Sequence, residues 1–210
     1  MSPDALHISL EQVGKWHGRQ WILRHIHDEI EPGQFLALLG TNGSGKSSLL
    51  RIMCGFDRPS EGVIRWRTRD KEWNAMELPL SISYCAPDQG LIPDLTVAEH
   101  LALHQRLRQP LNNIGVKEGL EWAQLETKGS VRVRDLSSGM RQRLALTLAM
   151  SSAGNAIFLD EPTSHLDSAG RKWYSELLET HRKGRTVVVA SNHNPTEFPG
   201  ADRTVELSTP

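Results

Sequence analysis

The sequence predicts an α/β domain with a mostly helical insertion. Short apolar runs typical of buried strands alternate with helical patterns through most of the 210 residues. Between about residues 93 and 125, by contrast, helical patterns follow one another without an intervening strand. Alternating strands and helices favour a parallel sheet covered by helices, and the interruption favours a small helical subdomain at about residues 90–150.

The N-terminal part predicts a pair of strands and then a buried strand. Residues 5–13 alternate between apolar and polar side chains as a half-buried strand does, and Trp21–Ile26 is a candidate pairing partner. Phe35–Leu39 is a continuous apolar run that ends at a glycine, which suits a strand buried on both faces. A helix is expected from about Gly45 to Cys54.

The remaining elements follow the same two patterns. Thr96 suits the N-cap of the helix VAEHLALHQRL, because its hydroxyl can accept a hydrogen bond from a free backbone N–H. The other predicted helices are Gly115–Leu125, Gly139–Met150 and Ser168–His181. The other predicted strands are Val63–Trp66, Ser81–Cys85, Ala156–Leu159, Thr186–Ser191 and an edge strand at Arg203–Leu207.

Charge and composition narrow the class of protein. Lysine and arginine number 24 against 25 acidic residues, so the basic excess typical of nucleic-acid-binding proteins is missing and we expect no nucleic-acid partner. The apolar stretches fall far short of the ~18 residues of a membrane span, which predicts that the chain does not cross a membrane by itself. Cys54 and Cys85 lack metal-type spacing and are expected to be buried, reduced thiols of a cytosolic protein.

A glycine-rich loop follows the predicted strand Phe35–Leu39. GTNGSGKSS fits the pattern G-x-x-x-x-G-K-S/T and lies before a predicted helix, as a phosphate-binding loop requires. Lys46 would reach the β- and γ-phosphates, and the Ser47 hydroxyl would bind Mg²⁺. The context disfavours the alternative, a glycine-rich turn with an exposed lysine. The predicted loop residues are Gly40, Thr41, Asn42, Gly43, Ser44, Gly45, Lys46, Ser47 and Ser48.

Four further side chains are candidates for the same site. Asp160 ends an apolar strand and would hold Mg²⁺ opposite Ser47. Glu161 would point the other way in an extended chain, which makes it the candidate to polarise the attacking water. His193 follows another buried strand and is a candidate γ-phosphate sensor, while Trp16 could stack on an adenine ring.

The stretch DLSSGMRQRL, residues 135–144, allows two interpretations. A Ser-Ser-Gly turn opens directly into a helical pattern, as in an ordinary helix cap. The same turn could equally be a phosphate-binding loop that a second copy of the protein completes. These ten residues do not decide between the two.

Together these residues resemble the ATP-binding cassette (ABC) ATPases, in order and over essentially the whole chain. Trp16 corresponds to the adenine-stacking aromatic, GTNGSGKS to the first nucleotide motif, LSSGM to the signature and IFLDE to the second nucleotide motif. SHLD corresponds to the D-loop, and His193 to the switch histidine. The resemblance implies a single domain over residues 1–210, with a P-loop NTPase (RecA-like) core, an ABC β-subdomain and a small helical subdomain.

The resemblance also implies partners. Two cassettes would pack head to tail around two ATP molecules, so that Ser137, Ser138, Gly139 and Asp167 contact nucleotide held mainly by the other subunit. A homodimer is expected, and a heterodimer stays open. The helical subdomain would dock on a transmembrane permease, which places the chain in the cytoplasm at the inner face of the cell membrane. In its small size and compact helical insertion, the chain resembles members of the haem-exporter-like branch, which serves cytochrome c maturation.

The sequence departs from the family pattern at two places. Ser138 and Met140 stand where the commonest signature has glycine and glutamine. The usual Q-loop glutamine aligns with Pro87, and Asp88 or Gln89 could take its role. Two alternatives remain: an ABC ATPase that acts on a cytosolic complex without transport, and an unrelated P-loop GTPase or kinase, which would leave LSSGM and His193 unexplained.

Overall fold

Two β-sheets organise the protein in the computed structural model, which describes residues 4–87, 90–108, 110–111 and 114–208. The strands are β1 (His7–His17), β2 (Gln20–Ile30), β3 (Phe35–Leu39), β4 (Glu61–Arg67), β5 (Glu72–Trp73), β6 (Ile82–Cys85), β7 (Ala156–Asp160), β8 (Thr186–Ser191) and β9 (Arg203–Glu206). The helices are α1 (Lys46–Met53), α2 (Val97–Leu107), α3 (Val116–Ala123), α4 (Ser138–Ser151) and α5 (Ser168–His181).

The first sheet is antiparallel, with strand order β2-β1-β4-β5. The predicted pairing of the two N-terminal segments is confirmed, since Val13 lies opposite Ile26 and Trp16 opposite Trp21. Both strands are longer than predicted, because their ends lack the apolar alternation on which the prediction depended. The two residues of β5 were missed for the same reason.

The second sheet is parallel throughout, with strand order β6-β7-β8-β3-β9. Its interior strand β3, between β8 and β9, is buried on both faces, as its apolar run predicts. Leu36 and Leu38 pack in the core formed with α1 and the first sheet, whereas Phe35 packs in a second core with α4 and α5. Because β7, β8 and β3 are neighbours and run in one direction, the loops that follow them leave from one edge of the sheet.

A third apolar cluster joins α2 and α3 to one face of α4, which contributes Leu144 and Leu148. Thr96 caps α2 as predicted: its Oγ1 accepts a hydrogen bond from Glu99 N at 3.2 Å, and the Glu99 carboxylate accepts one from Thr96 N at 2.8 Å. Leu144 belongs to this cluster, while Leu146, two residues on, belongs to the core beneath the parallel sheet. Helix α4 therefore connects the helical segment to the sheet.

The structure also describes the two cysteines and the lengths of the helices. Cys54 and Cys85 are buried free thiols, and burial raises the pKa of both thiols. None of the helices in the described ranges is long and apolar enough to cross a membrane.

Gly62→Ala should destabilise the fold strongly, since Gly62 has φ +80° and an added Cβ would lie 2.2 Å from the Gln12 carbonyl oxygen. We expect a loss of about 2–5 kcal/mol in the free energy of unfolding, measured by urea denaturation. Gly18→Ala is the matched control, because Gly18 has φ +62° with nothing within 4 Å of the added carbon. It should lose only about 1–2 kcal/mol. Equal losses would contradict the steric argument.

Candidate functional site

The loop between β3 and α1 folds in a way that only glycine permits. Gly40, Gly43 and Gly45 have φ values of +148°, +85° and +92°. A Cβ at Gly40 would lie 2.5 Å from Ser44 Oγ and 2.6 Å from the Leu207 carbonyl oxygen, and one at Gly45 would lie 2.7 Å from Leu23 Cδ2. Because glycine has no Cβ, the chain can form a tight loop here, and its backbone N–H groups can converge on an anion.

The lysine of this loop is buried inside it. Lys46 is the first residue of α1 and is 5% exposed. Its Nζ donates hydrogen bonds to the carbonyl oxygens of Gly40, at 2.8 Å, and Thr41, at 2.9 Å. The ammonium is thus held by neutral acceptors, which phosphate oxygens of opposite charge can replace with a gain in hydrogen-bond strength.

The loop opens into a cavity of about 310 Å³. Beside the predicted loop residues, the wall includes Ile22 from β2 and Glu161 from the end of β7. The structure therefore brings Glu161 to the glycine-rich loop, as the sequence predicts. The lining residues are Ile22, Asn42, Gly43, Gly45, Lys46, Ser47, Ser48 and Glu161.

Asp160 is buried beside this cavity with part of its hydrogen-bonding capacity unused. It is 7% exposed, and its Oδ1 atom has no hydrogen-bond partner among the described residues. Burial raises the pKa of the Asp160 carboxyl, while a hydrogen bond from the Ser47 side chain and the charge of Lys46 oppose the rise. An unpaired carboxylate oxygen next to a serine hydroxyl suits a hard divalent cation, so these two residues fit Mg²⁺.

Glu161 and His193 both adopt left-handed backbone conformations, with φ values of +42° and +56°. The expectation of an extended chain at Glu161 was wrong: the backbone turns directly after β7, and the Ser164 N–H donates to the Glu161 carbonyl oxygen at 3.1 Å. Such conformations cost non-glycine residues about 1–3 kcal/mol and are concentrated at functional sites.

His193 forms a side-chain hydrogen bond that the sequence did not predict. The imidazole is exposed, and its Nε2 lies 3.0 Å from a carboxylate oxygen of Glu206. Glu206 ends β9, and no motif marks it. Only the parallel pairing of β3 with both β8 and β9 brings these two residues together.

The signature residues have local structural roles in the single chain. Ser137 caps α4, since its Oγ accepts a hydrogen bond from Met140 N at 3.2 Å. The cap is compatible with the interpretation of this turn as a phosphate-binding loop completed by a second copy, which stays a prediction. Ser138 lines a different cavity, of about 320 Å³, together with Pro87 and His165. Ser137, Ser138 and Gly139 do not line the cavity of the glycine-rich loop.

The other predicted site residues lie at the edges of these features. Asp167 caps α5 by accepting a hydrogen bond from Gly170 N at 2.7 Å. Trp16 lies near the end of β1, 44% exposed, with its ring edge-to-face with Trp21 at 5.2 Å. Of the three Q-loop candidates, Asp88 and Gln89 lie outside the described residues.

A parallel sheet with a glycine-rich loop after one strand and an acid at the end of a neighbouring strand defines a P-loop nucleotide-binding domain. The family model described as ABC transporter matches residues 23–164, and the chain belongs to this family. The fold predicted from the sequence, an ABC-type P-loop NTPase, is thereby confirmed. ATP binding and hydrolysis are the general activity of the family.

Relatives and solved structures agree with this assignment. The sulfate/thiosulfate import ATP-binding protein CysA of Mesostigma viride is 34% identical over 90% of the chain, which spans 56% of that protein's length. The cytochrome c biogenesis ATP-binding export protein CcmA of Methylococcus capsulatus is 32% identical, over 85% of the chain and 87% of the relative. A dimeric ATP-binding cassette in a post-hydrolysis state, bound to ADP and Pi, superposes with a TM-score of 0.81 at 27% identity, covering 96% of this chain and 94% of the other.

Asp160→Asn should stabilise the nucleotide-free protein. Because burial raises the pKa of Asp160 above its unfolded value, the stability that its protonated form contributes is present at low pH and lost as the pH rises through the folded pKa. The neutral amide avoids that loss at pH 7, and the unfolding midpoint should rise by about 2–4 °C for each 1 kcal/mol recovered.

The same variant should also lose its response to Mg²⁺. Calorimetry should show that Mg²⁺ adds to the stabilisation by ATP in the wild type but not in Asp160→Asn. Asp70→Asn, at an exposed carboxylate, is the control for the change of charge and should behave as the wild type in both respects. An unaltered Mg²⁺ response in Asp160→Asn would refute the metal assignment.

Proposed function

We propose that this chain is the ATP-hydrolysing subunit of an ABC membrane transporter, paired with a second cassette and with a separate transmembrane permease. The observation that carries the proposal is the cavity in which the glycine-rich loop, Lys46 and Glu161 meet, beside the unpaired carboxylate oxygen of Asp160. Membership of the ABC transporter family supports the transport context.

The arrangement suggests a role for each side chain in hydrolysis. Lys46 would exchange the Gly40 and Thr41 carbonyls for β- and γ-phosphate oxygens of ATP. Ser47 and Asp160 would hold Mg²⁺, which neutralises the charge that develops on the phosphates. Glu161 would take a proton from the attacking water, so that a new oxygen bond forms at the γ-phosphorus while the bond to the β–γ bridging oxygen breaks.

His193 and Trp16 would bind the two ends of the nucleotide. The His193 loop leaves the same sheet edge as the Glu161 loop, which supports contact with the γ-phosphate. Trp16 lies on the antiparallel sheet whose Ile22 already forms part of the cavity wall. Its half-exposed ring is available to stack on the adenine.

The location of the signature supports a site shared between two subunits. In the single chain Ser137, Ser138 and Gly139 face a surface separate from the glycine-rich loop. A second cassette packed head to tail would place these residues, with Asp167, against the nucleotide of its partner. Since the chain carries both half-sites, a homodimer would form complete ATP sites. Pairing with a different cassette would serve equally.

The transport coupling follows from the same two-subunit cycle. ATP binding would close the pair of cassettes, and hydrolysis with product release would reopen it, which moves a permease docked on the helical segment. The proposal places the chain in the cytoplasm, peripheral at the inner face of the cell membrane. One relative is named for import and another for export, so the cassette chemistry suits either direction.

Glu161→Gln should bind ATP with near-wild-type affinity and hydrolyse it at least about a hundredfold more slowly, because the amide cannot accept the proton of water. The variant should accumulate as a closed dimer with ATP, which size-exclusion chromatography with light scattering can detect. Glu176→Gln, the same exchange at an exposed position on α5, is the control. Hydrolysis at the wild-type rate by Glu161→Gln would contradict the assignment of Glu161 as the catalytic base.

Ser137→Ala should slow hydrolysis without weakening ATP binding to the monomer. The change also removes the N-cap of α4, at a cost of about 1 kcal/mol in stability. Thr96→Ala removes the N-cap of α2 at a similar cost but lies outside the proposed site, so it separates lost capping from lost catalysis. Reduced monomer affinity in Ser137→Ala, measured by calorimetry, would mean that the signature acts within its own chain.

A further inference from the structure

A buried carboxylate lies behind the candidate site, and the proposed mechanism does not use it. Glu197 is 3% exposed, in a short helical turn that follows β8. It accepts three hydrogen bonds on its two oxygens. Thr163 donates to Oε1 from its backbone N–H, at 3.3 Å, and from its hydroxyl, at 3.0 Å, and the Ser191 hydroxyl donates to Oε2 at 2.5 Å.

Asn194 fixes the direction of both hydroxyl groups. Its backbone N–H donates to Ser191 Oγ at 3.1 Å, and its side-chain Nδ2 donates to Thr163 Oγ1 at 3.1 Å. The amide orientation is determined by Thr196, whose N–H and hydroxyl both donate to Asn194 Oδ1. The nearest acceptor for each hydroxyl proton is a Glu197 oxygen, at 3.0 Å from Thr163 and 2.5 Å from Ser191. The Asn194 carbonyl oxygen, at 3.4 Å from Ser191 Oγ, is a weaker alternative acceptor. Burial raises the pKa of the Glu197 carboxyl, and the hydrogen bonds from Ser191 and Thr163 oppose the rise, because they favour the form that accepts on both oxygens.

The network spans the two loops that carry the predicted catalytic side chains. Thr163 lies two residues after Glu161, and Asn194 directly follows His193. Glu161 and His193 are the two residues of these loops with left-handed backbone conformations. Strained conformations of this kind persist only where the surrounding structure holds them, and the hydrogen bonds to Glu197 supply such support next to both.

We infer that Glu197 is a positioning residue, which holds the Glu161 loop and the His193 loop in one fixed relation so that both side chains address the same phosphate. The inference rests on the proposed roles of Glu161 and His193. Glu197 itself is buried beneath the loops and would not contact nucleotide.

The contacts also show how to separate positioning from packing. The Tyr174 hydroxyl donates to the backbone carbonyl oxygen of Glu197 at 2.7 Å, so the segment is anchored independently of the carboxylate. Glu197→Gln preserves this anchor and the side-chain volume. The new amide presents a donor to one of two hydroxyl groups that themselves donate, which breaks one arm of the network.

The test compares steady-state ATP hydrolysis by the wild type and by Glu197→Gln. We expect kcat to fall by roughly tenfold or more, while KM for ATP stays within about twofold. A loss of this size is usual for residues that orient a reacting side chain through a hydrogen bond. The affinity for ATP, measured by calorimetry, should be unchanged. Glu176→Gln is the matched control and should keep the wild-type kcat.

Thr163 provides a second, independent variant. Thr163→Val removes the hydroxyl while preserving the shape of the side chain, and Thr163→Ser restores the hydroxyl. We expect a loss of kcat in the first and recovery in the second. If the hydroxyl and the carboxylate act as one unit, the double variant Thr163→Val/Glu197→Gln should be about as slow as the slower single variant, rather than the product of both losses.

Two results would overturn the inference: a kcat of Glu197→Gln within twofold of the wild type, or a loss of kcat matched by weaker ATP binding and a lower unfolding midpoint. These results differ from a failure of the proposed function. An inactive wild type, or an active Glu161→Gln, would remove the function itself. An active wild type, an inactive Glu161→Gln and an unaffected Glu197→Gln would remove only the role of Glu197.

Discussion

The parallel register of β7, β8 and β3 is the constraint on which the rest of the site depends. Asp160 pairs with Ala190, and Leu39 pairs with Ser191, so the three strands end within about one residue of each other. The phosphate loop, the acidic pair and the histidine loop then leave from one edge. A slip of one residue in any pair would turn Asp160 to the opposite face and separate it from Ser47.

The site holds opposite charges that the protein alone does not neutralise. The Lys46 ammonium is held by carbonyl groups, and one Asp160 oxygen lacks a donor among the described residues. An anionic nucleotide with its cation would satisfy both at once. Burying charges in this way costs stability in the free protein, which is the usual cost of a site that is organised before its ligand arrives.

Sequence patterns predicted the helices and strands of this protein better than the side-chain contacts around its site. The strand Phe35–Leu39 and the helix Ser168–His181 were predicted with their observed bounds. In both, the spacing of apolar residues reflects which side chains are buried, and a glycine ends the strand. Glu197 and Glu206 were missed, since each acts through residues distant in sequence and neither belongs to a pattern. The left-handed conformation at Glu161 was missed because a residue that precedes a proline, here Pro162, usually has an extended backbone.

The N-cap of α4 has a consequence for how two subunits would recognise each other. The Ser137 oxygen accepts from the helix, so its proton is free to point away from its own chain. The positive end of the helix dipole polarises that hydroxyl outward. In the proposed dimer, this hydroxyl would be available to donate a hydrogen bond to an incoming anion. Partner recognition in the proposed dimer would begin from a surface that needs no rearrangement, and the nucleotide would link two preformed faces.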